Sequence, residues 1–168
     1  MRLVDHQENK KPNGFEVYML LEYCPNGTLF DLIEQKCRGG FSGITDEDEL
    51  IKIVNEVSNG LKALHEKSIS HRDLKIENIL KGQDGNWKIC DLGSSTTRQF
   101  NTAMIKKDKI EIIEEIEKMT TPIYRAPEQL DLFSGFNINQ KVDIWALGCI
   151  TYTLMYHKPP FEEGQKLS

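Results

Sequence analysis

The chain has no excess of positive charge. Its 168 residues carry 21 lysines and arginines against 26 aspartates and glutamates, a net charge of −5, which argues against a nucleic-acid partner or a polybasic membrane patch. Long apolar runs are missing too. The longest, Ile144 to Tyr156, is too short to span a bilayer, and the opening Met1-Arg2-Leu3-Val4-Asp5-His6 lacks the apolar stretch of a secretory signal. Cysteine is sparse: Cys24, Cys37, Cys90 and Cys149 form no C-x-x-C pair, so neither a zinc site nor a disulfide framework is supported and reduced thiols are the plain reading. Internal repeats and low-complexity tracts are absent. These absences suit a cytoplasmic protein with no transmembrane segment, and a 39% hydrophobic content suits one core.

What is present reads as alternating texture. Residues 1 to 14 are polar and end in the turn signal Lys10-Lys11-Pro12-Asn13-Gly14; the apolar run Glu16 to Tyr23 then predicts a buried strand. Cys24-Pro25-Asn26-Gly27 breaks it, and Thr28 to Ile33 begins a short helical pattern. Thr45-Asp46-Glu47-Asp48 supplies a cap and an acidic first turn for a helix carrying Leu50, Val54, Val57, Leu61 and Leu64. Asn78 to Lys81 and Trp87 to Cys90 predict a small hairpin around Asp84-Gly85. Residues 94 to 121 are charged and predict a long loop containing a short helix. Val142 to Tyr156 predicts a second helix, apolar nearly all round and therefore buried.

Four fragments carry chemistry: His71-Arg72-Asp73-Leu74-Lys75-Ile76-Glu77-Asn78, Asp91-Leu92-Gly93, Ala126-Pro127-Glu128, and Asp143-Ile144-Trp145-Ala146-Leu147-Gly148. Singly, each is an ordinary local sequence, since Asp and Gly are common turn formers. In this order and spacing the chain resembles the eukaryotic protein kinase superfamily, serine/threonine type, over essentially its whole length. The resemblance implies an α+β, protein-kinase-like fold, mainly the helical C-lobe with the hinge and last N-lobe strand. Residues 1–168 then read as a partial kinase domain, with 1–24 as the end of the N-lobe and the hinge strand, and 25–168 as a C-lobe lacking its final helices.

Phosphoryl transfer is mainly in-line positioning plus neutralisation of charge on the moving group. Asp73 is the candidate base, able to accept a hydroxyl proton and aim the oxygen at the γ-phosphate of ATP. Lys75 would place a positive charge near that phosphate, and this lysine is the form found in serine/threonine kinases. Asn78 and Asp91 offer hard oxygen ligands for Mg²⁺ shared with nucleotide phosphates. By the resemblance, Leu21 is the gatekeeper, Glu22 and Cys24 form the hinge through their backbone groups, and Leu80 lies against adenine. His71 packs in the regulatory core, Arg72 steadies the activation segment, and Gly93 completes the metal-binding motif. Thr121 contacts Asp73 and Lys75, Glu128 pairs with an arginine further along a kinase chain, and Asp143 holds the backbone of the catalytic loop. His6, His65 and His157 have no carboxylate or cysteine at ligand spacing and read as non-functional.

Residues Glu114 to Glu128, Leu132-Phe133-Ser134-Gly135 and Asp143 to Cys149 are similar to the numb-associated kinase group, whose members phosphorylate endocytic adaptor subunits on threonine. That similarity implies a protein substrate among endocytic adaptors and an extra ordered helix in the activation segment. The sequence also departs from the superfamily. It contains no G-x-G-x-x-G or V-A-I-K-like string, no arginine follows Glu128, and Leu92 stands where phenylalanine is usual. The isolated chain is therefore expected to transfer little phosphate. Two readings remain, an ATP-dependent serine/threonine kinase and a catalytically inactive kinase fragment or pseudokinase that binds a partner; intact Asp73, Lys75, Asn78 and Asp91 favour the first.

Overall fold

The computed structural model describes residues 1–39, 46–101 and 109–161. The turn signal at Pro12-Asn13 joins β1 (Leu3–Lys11) to β2 (Gly14–Leu21) in an antiparallel ribbon running from Lys11 opposite Gly14 to Leu3 opposite Leu21. Two expectations change here. The polar opening is a strand, because backbone pairing recruits it although its side chains bury little. The apolar run is paired but exposed, with Phe15 at 70% and Met19 at 64% of full exposure. Its one ladder partner among the described residues is β1, and a two-stranded ribbon with no layer packed on it buries neither face.

Helix α1 (Leu29–Arg38) starts where Thr28 and Asp31 close a capping box, Thr28 Oγ1 accepting from the Asp31 N–H and Asp31 Oδ2 accepting from the Thr28 N–H. Helix α2 (Glu47–His65) is capped by Asp46, with Glu47, Asp48 and Glu49 in its first turn; Thr45, the first residue of the predicted capping segment, lies outside the described residues. The buried stripe of α2 is Ile53, Val57 and Leu61, while Val54 and Leu64 are only half-buried. The face is rotated from the predicted one because the small sheet and the last helix pack against this side of α2. That sheet pairs β3 (Ile79–Lys81) with β4 (Trp87–Ile89), turning through Gly85 at φ 75.

Beyond it lie α3 (Lys109–Met119), the single turn α4 (Pro127–Leu130) and α5 (Lys141–Tyr156). The main core gathers Leu29, Ile53, Val57, Leu61, Leu74, Ile79, Ile150 and Leu154; each such side chain contributes about 1.5–3 kcal/mol on burial. A second cluster of Phe100, Ile112, Ile116, Ala126, Leu132, Ile138 and Val142 anchors α3, and Trp145 packs against both. Helix α5 is not buried all round. Ile144 is 48% exposed, and the face bearing Trp145, Gly148 and Tyr152 opens on a cavity of about 510 Å³. The architecture is α+β, and among the described residues no helix is long and apolar enough to cross a membrane.

Candidate active site

The loop between α2 and β3 is held from three directions. Ser70 and Thr96 exchange backbone hydrogen bonds at 2.8 and 3.0 Å. Asp143, at the start of α5 and 1% exposed, accepts from the N–H of His71 at 2.8 Å and of Arg72 at 2.9 Å. The fully buried His71 ring donates from Nε2 to the Cys90 carbonyl at 2.9 Å. Arg72 pays for this path with a left-handed backbone, φ 69, a strain of about 1–3 kcal/mol for a non-glycine residue that only surrounding contacts can hold. His65, which the sequence gives no carboxylate at ligand spacing and no function, donates to Asp143 at 2.8 Å. The partner lies 78 residues away, so no local spacing could reveal it.

In front of this support stands Asp73. Its Oδ1 accepts from the Thr121 hydroxyl at 2.7 Å, and its Oδ2 pairs with Lys75 Nζ at 2.9 Å. Lys75 also donates to Thr121 Oγ1 at 3.3 Å. The Thr121 hydroxyl thus gives its one proton to Asp73 and receives from Lys75, a closed arrangement of three side chains. The hydrogen bond to Asp73 raises the Lys75 pKa above the ordinary lysine value against a smaller opposing effect of burial, so the ammonium is retained.

Asn78, nearly buried, donates from Nδ2 to the Asp73 carbonyl at 2.9 Å, leaving its side-chain oxygen available. Its own carbonyl accepts from Cys90 N–H at 2.9 Å, which ties the Asn78 end of β3 to the residue before Asp91. Asp91 is exposed, in the left-handed region at φ 59, and accepts from Gly93 N–H at 3.1 Å through Oδ1. An amide oxygen and a carboxylate are a hard donor pair of the kind Mg²⁺ shares with phosphates; the residues present fit that ion. Cys90 sits between them with its thiol pKa raised, first by burial and then by the Asp91 charge.

Leu21 ends β2, and residues 26 to 28 lie along β3: Asn26 N–H donates to the Lys81 carbonyl at 3.3 Å, and Lys81 N–H donates to the Gly27 carbonyl at 2.8 Å. Leu80, half-buried, bridges to Thr28, and Cys24 is half-buried. The Glu22 side chain has a function that its expected hinge position did not suggest. It pairs with Lys88 on β4 at 2.9 Å and accepts from the Arg2 N–H, fastening the ribbon to the small sheet. The activation-segment side is fastened by Arg72, whose side chain donates to the Ser94 carbonyl and to Glu115 on α3; Arg98 reaches the same carboxylate. Neither Arg98 nor Glu115 stands out in the sequence.

Glu128 is set apart from these groups. It lines the cavity beside α5 with Lys141 and Phe161, and among the described residues it has no ion-pair partner. Of the three threonines in and around α3, Thr102 lies outside the described residues, Thr120 is buried and bonded to the Ile116 carbonyl, and Thr121 is engaged by Asp73.

A His-Arg-Asp loop pinned to a helix aspartate, with an Asp-x-Gly turn beside it, defines a phosphoryl-transfer type of domain. Residues 2–168 match the protein kinase domain family, and the chain belongs to it. It is 43% identical over 160 residues to a probable serine/threonine-protein kinase of Dictyostelium discoideum, covering 94% of this chain and 19% of that protein. A second probable serine/threonine-protein kinase of that organism is 36% identical over 171 residues, 99% of this chain and 15% of its own length. A protein kinase domain-containing protein of Schizosaccharomyces pombe is 40% identical over 152 residues, 89% of this chain and 23% of its length. The chain thus spans less than a quarter of each of these curated relatives.

Proposed function

We propose that this protein is an ATP-dependent serine/threonine protein kinase that transfers the γ-phosphoryl group to protein hydroxyls. The observation that carries the reading is the closed contact of Thr121, Asp73 and Lys75. Asp73 Oδ2 and Oδ1 are each oriented by a donor, so the carboxylate has one direction in which to receive a substrate hydroxyl and accept its proton. Lys75, kept protonated by Asp73, stands beside it to meet the charge on the transferring phosphoryl group. Thr121, from the activation segment, couples the placement of that segment to the orientation of the base. Asn78 and Asp91 would hold Mg²⁺, which when bound supplies positive charge to phosphate oxygens. Leu21, Leu80 and the backbone of Glu22 and Cys24 would form the adenine side of the nucleotide site.

Membership of the numb-associated group, with endocytic adaptor proteins as substrates, is a finer reading. It is supported by α3 in the segment between the Asp-x-Gly turn and Ala126-Pro127-Glu128. A cytoplasmic location accords with four free cysteines and with the need for ATP.

The test uses the full-length protein, labelled ATP and Mg²⁺, with threonine, serine and tyrosine peptides and an endocytic adaptor subunit as acceptors. Transfer to threonine or serine that Asp73→Asn abolishes is the expected result, and label on the adaptor supports the finer reading. Absence of transfer by a protein that still binds ATP would overturn the enzyme reading and leave a nucleotide-binding interaction module.

A further inference from the structure

Arg72 precedes the proposed base, and its backbone and side chain are tied to different parts of the molecule. The N–H is bound by Asp143; the guanidinium binds the Ser94 carbonyl through Nε and Glu115 Oε1 through Nη1. The second oxygen of Glu115 is taken by Arg98 Nη1 at 2.8 Å. One carboxylate therefore sits between two guanidinium groups, with Arg72 only 9% and Glu115 18% exposed at the side chain. Charge-assisted bonds at this level of burial are stronger than surface pairs, and a nearly buried guanidinium left without an anion is costly.

Glu115 cannot easily leave that position. Ile112 and Ile116, on either side of it along α3, are buried in the second core cluster. The C-terminal end of α3 is closed by Arg125, which donates to the Thr120 hydroxyl at 2.7 Å and to the Glu117 and Thr120 carbonyls. Kinase activation segments are commonly ordered by an added phosphate that pairs with arginines. Here a packed helix brings a carboxylate to the arginine next to the base.

We infer that Glu115 is a positioning residue for phosphoryl transfer: clamped between Arg72 and Arg98, it holds the catalytic loop against the activation segment and makes an added phosphate unnecessary. The inference rests on the kinase reading above. Glu115 touches neither substrate nor nucleotide; it acts by fixing the left-handed Arg72 and, through the chain, Asp73.

The test compares full-length wild type, Glu115→Ala, Glu115→Gln and Glu115→Asp, with wild type also treated exhaustively with a phosphatase. Dephosphorylated wild type is expected to keep its activity within about twofold. Ala and Gln variants are expected to lose roughly tenfold or more in kcat with the KM for ATP within about threefold, and Asp to recover most of the loss. Amide exchange at Arg72 and Thr96 is expected to quicken in the Ala and Gln variants while α2 stays protected. Loss of wild-type activity on dephosphorylation, or variants with unchanged kcat and unchanged exchange, would overturn the inference. If no form transfers phosphate, the kinase reading fails and exchange alone decides: quickening at Arg72 and Thr96 upholds the clamp, and its absence refutes it. Should the Ala variant melt, the isosteric Gln variant carries the comparison.

Discussion

Asp143 Oδ1 accepts a hydrogen bond from the backbone nitrogen of Arg72 at 2.9 Å, across 71 residues of sequence. The contact joins the first turn of α5 to a residue in a strained backbone conformation one position before the proposed base. The other oxygen of the same carboxylate takes the His71 N–H and the His65 ring. One fully desolvated carboxylate thus satisfies three donors, and the loop that carries the proposed base is tied to the first turn of α5.

Asp143→Ala is expected to leave two buried N–H groups and one imidazole without a partner. Unmade buried bonds of this kind cost about 1–3 kcal/mol each, and their loss here should destabilise the protein by roughly 3 kcal/mol or more. Urea denaturation of the full-length variant beside wild type measures it. A change below about 0.5 kcal/mol, the range of neutral surface substitutions, would show that the loop holds its path without Asp143.

Thr121→Ala removes the hydroxyl that donates to Asp73 and receives from Lys75, whereas Thr121→Ser keeps it. Steady-state assays are expected to give a kcat about tenfold lower for Ala and near wild type for Ser, with little change in the KM for ATP, because the lost contact orients the base and does not bind nucleotide.

The thiols should separate by reactivity. Burial pushes the Cys149 pKa up to about 11, so at pH 8 roughly one thiol in a thousand is thiolate; burial also raises Cys90. Cys37 is exposed. Brief alkylation with iodoacetamide followed by mass spectrometry should mark Cys37 first and leave Cys149 unlabelled in the native protein. Early labelling of Cys149 would contradict its packing.

Glu22 titrates below the ordinary glutamate value because Lys88 hydrogen-bonds its charged form, a stronger effect than the opposing desolvation. A depressed folded pKa contributes stability that is fully present above the unfolded value, about 4.3, and is lost as pH falls through the lower folded value. The pair is only partly shielded from solvent, so the contribution is on the order of 1 kcal/mol. An NMR titration of the Glu22 side chain should show the downward shift, and Lys88→Met should remove most of it.

Much of this was legible from residue order. The α2 cap at Asp46, the Asp84-Gly85 hairpin and the end of α5 before Pro159 follow from local chemistry, since caps, turns and proline act within a few residues. Asp73, Lys75, Asn78 and Asp91 are close in the chain, so a short stretch of sequence presents all four as candidates. Strand β1 and the exposure of β2 were not legible, because apolar pattern records what could be buried and not whether a layer arrives to bury it. The half-open face of α5 has the same cause.

The sequence by itself determined the family and the chemistry available at each position of the catalytic loop, because side-chain type and spacing along one short segment suffice for both. Only the tertiary structure decided which distant groups act on that loop: Asp143 and His65 beneath it, Thr121 beside its base, and Glu115 with Arg98 at Arg72. The physical reason is that charge-assisted contacts need groups brought within about 3 Å, and for residues tens of positions apart only the packing of α2, α3 and α5 sets that distance.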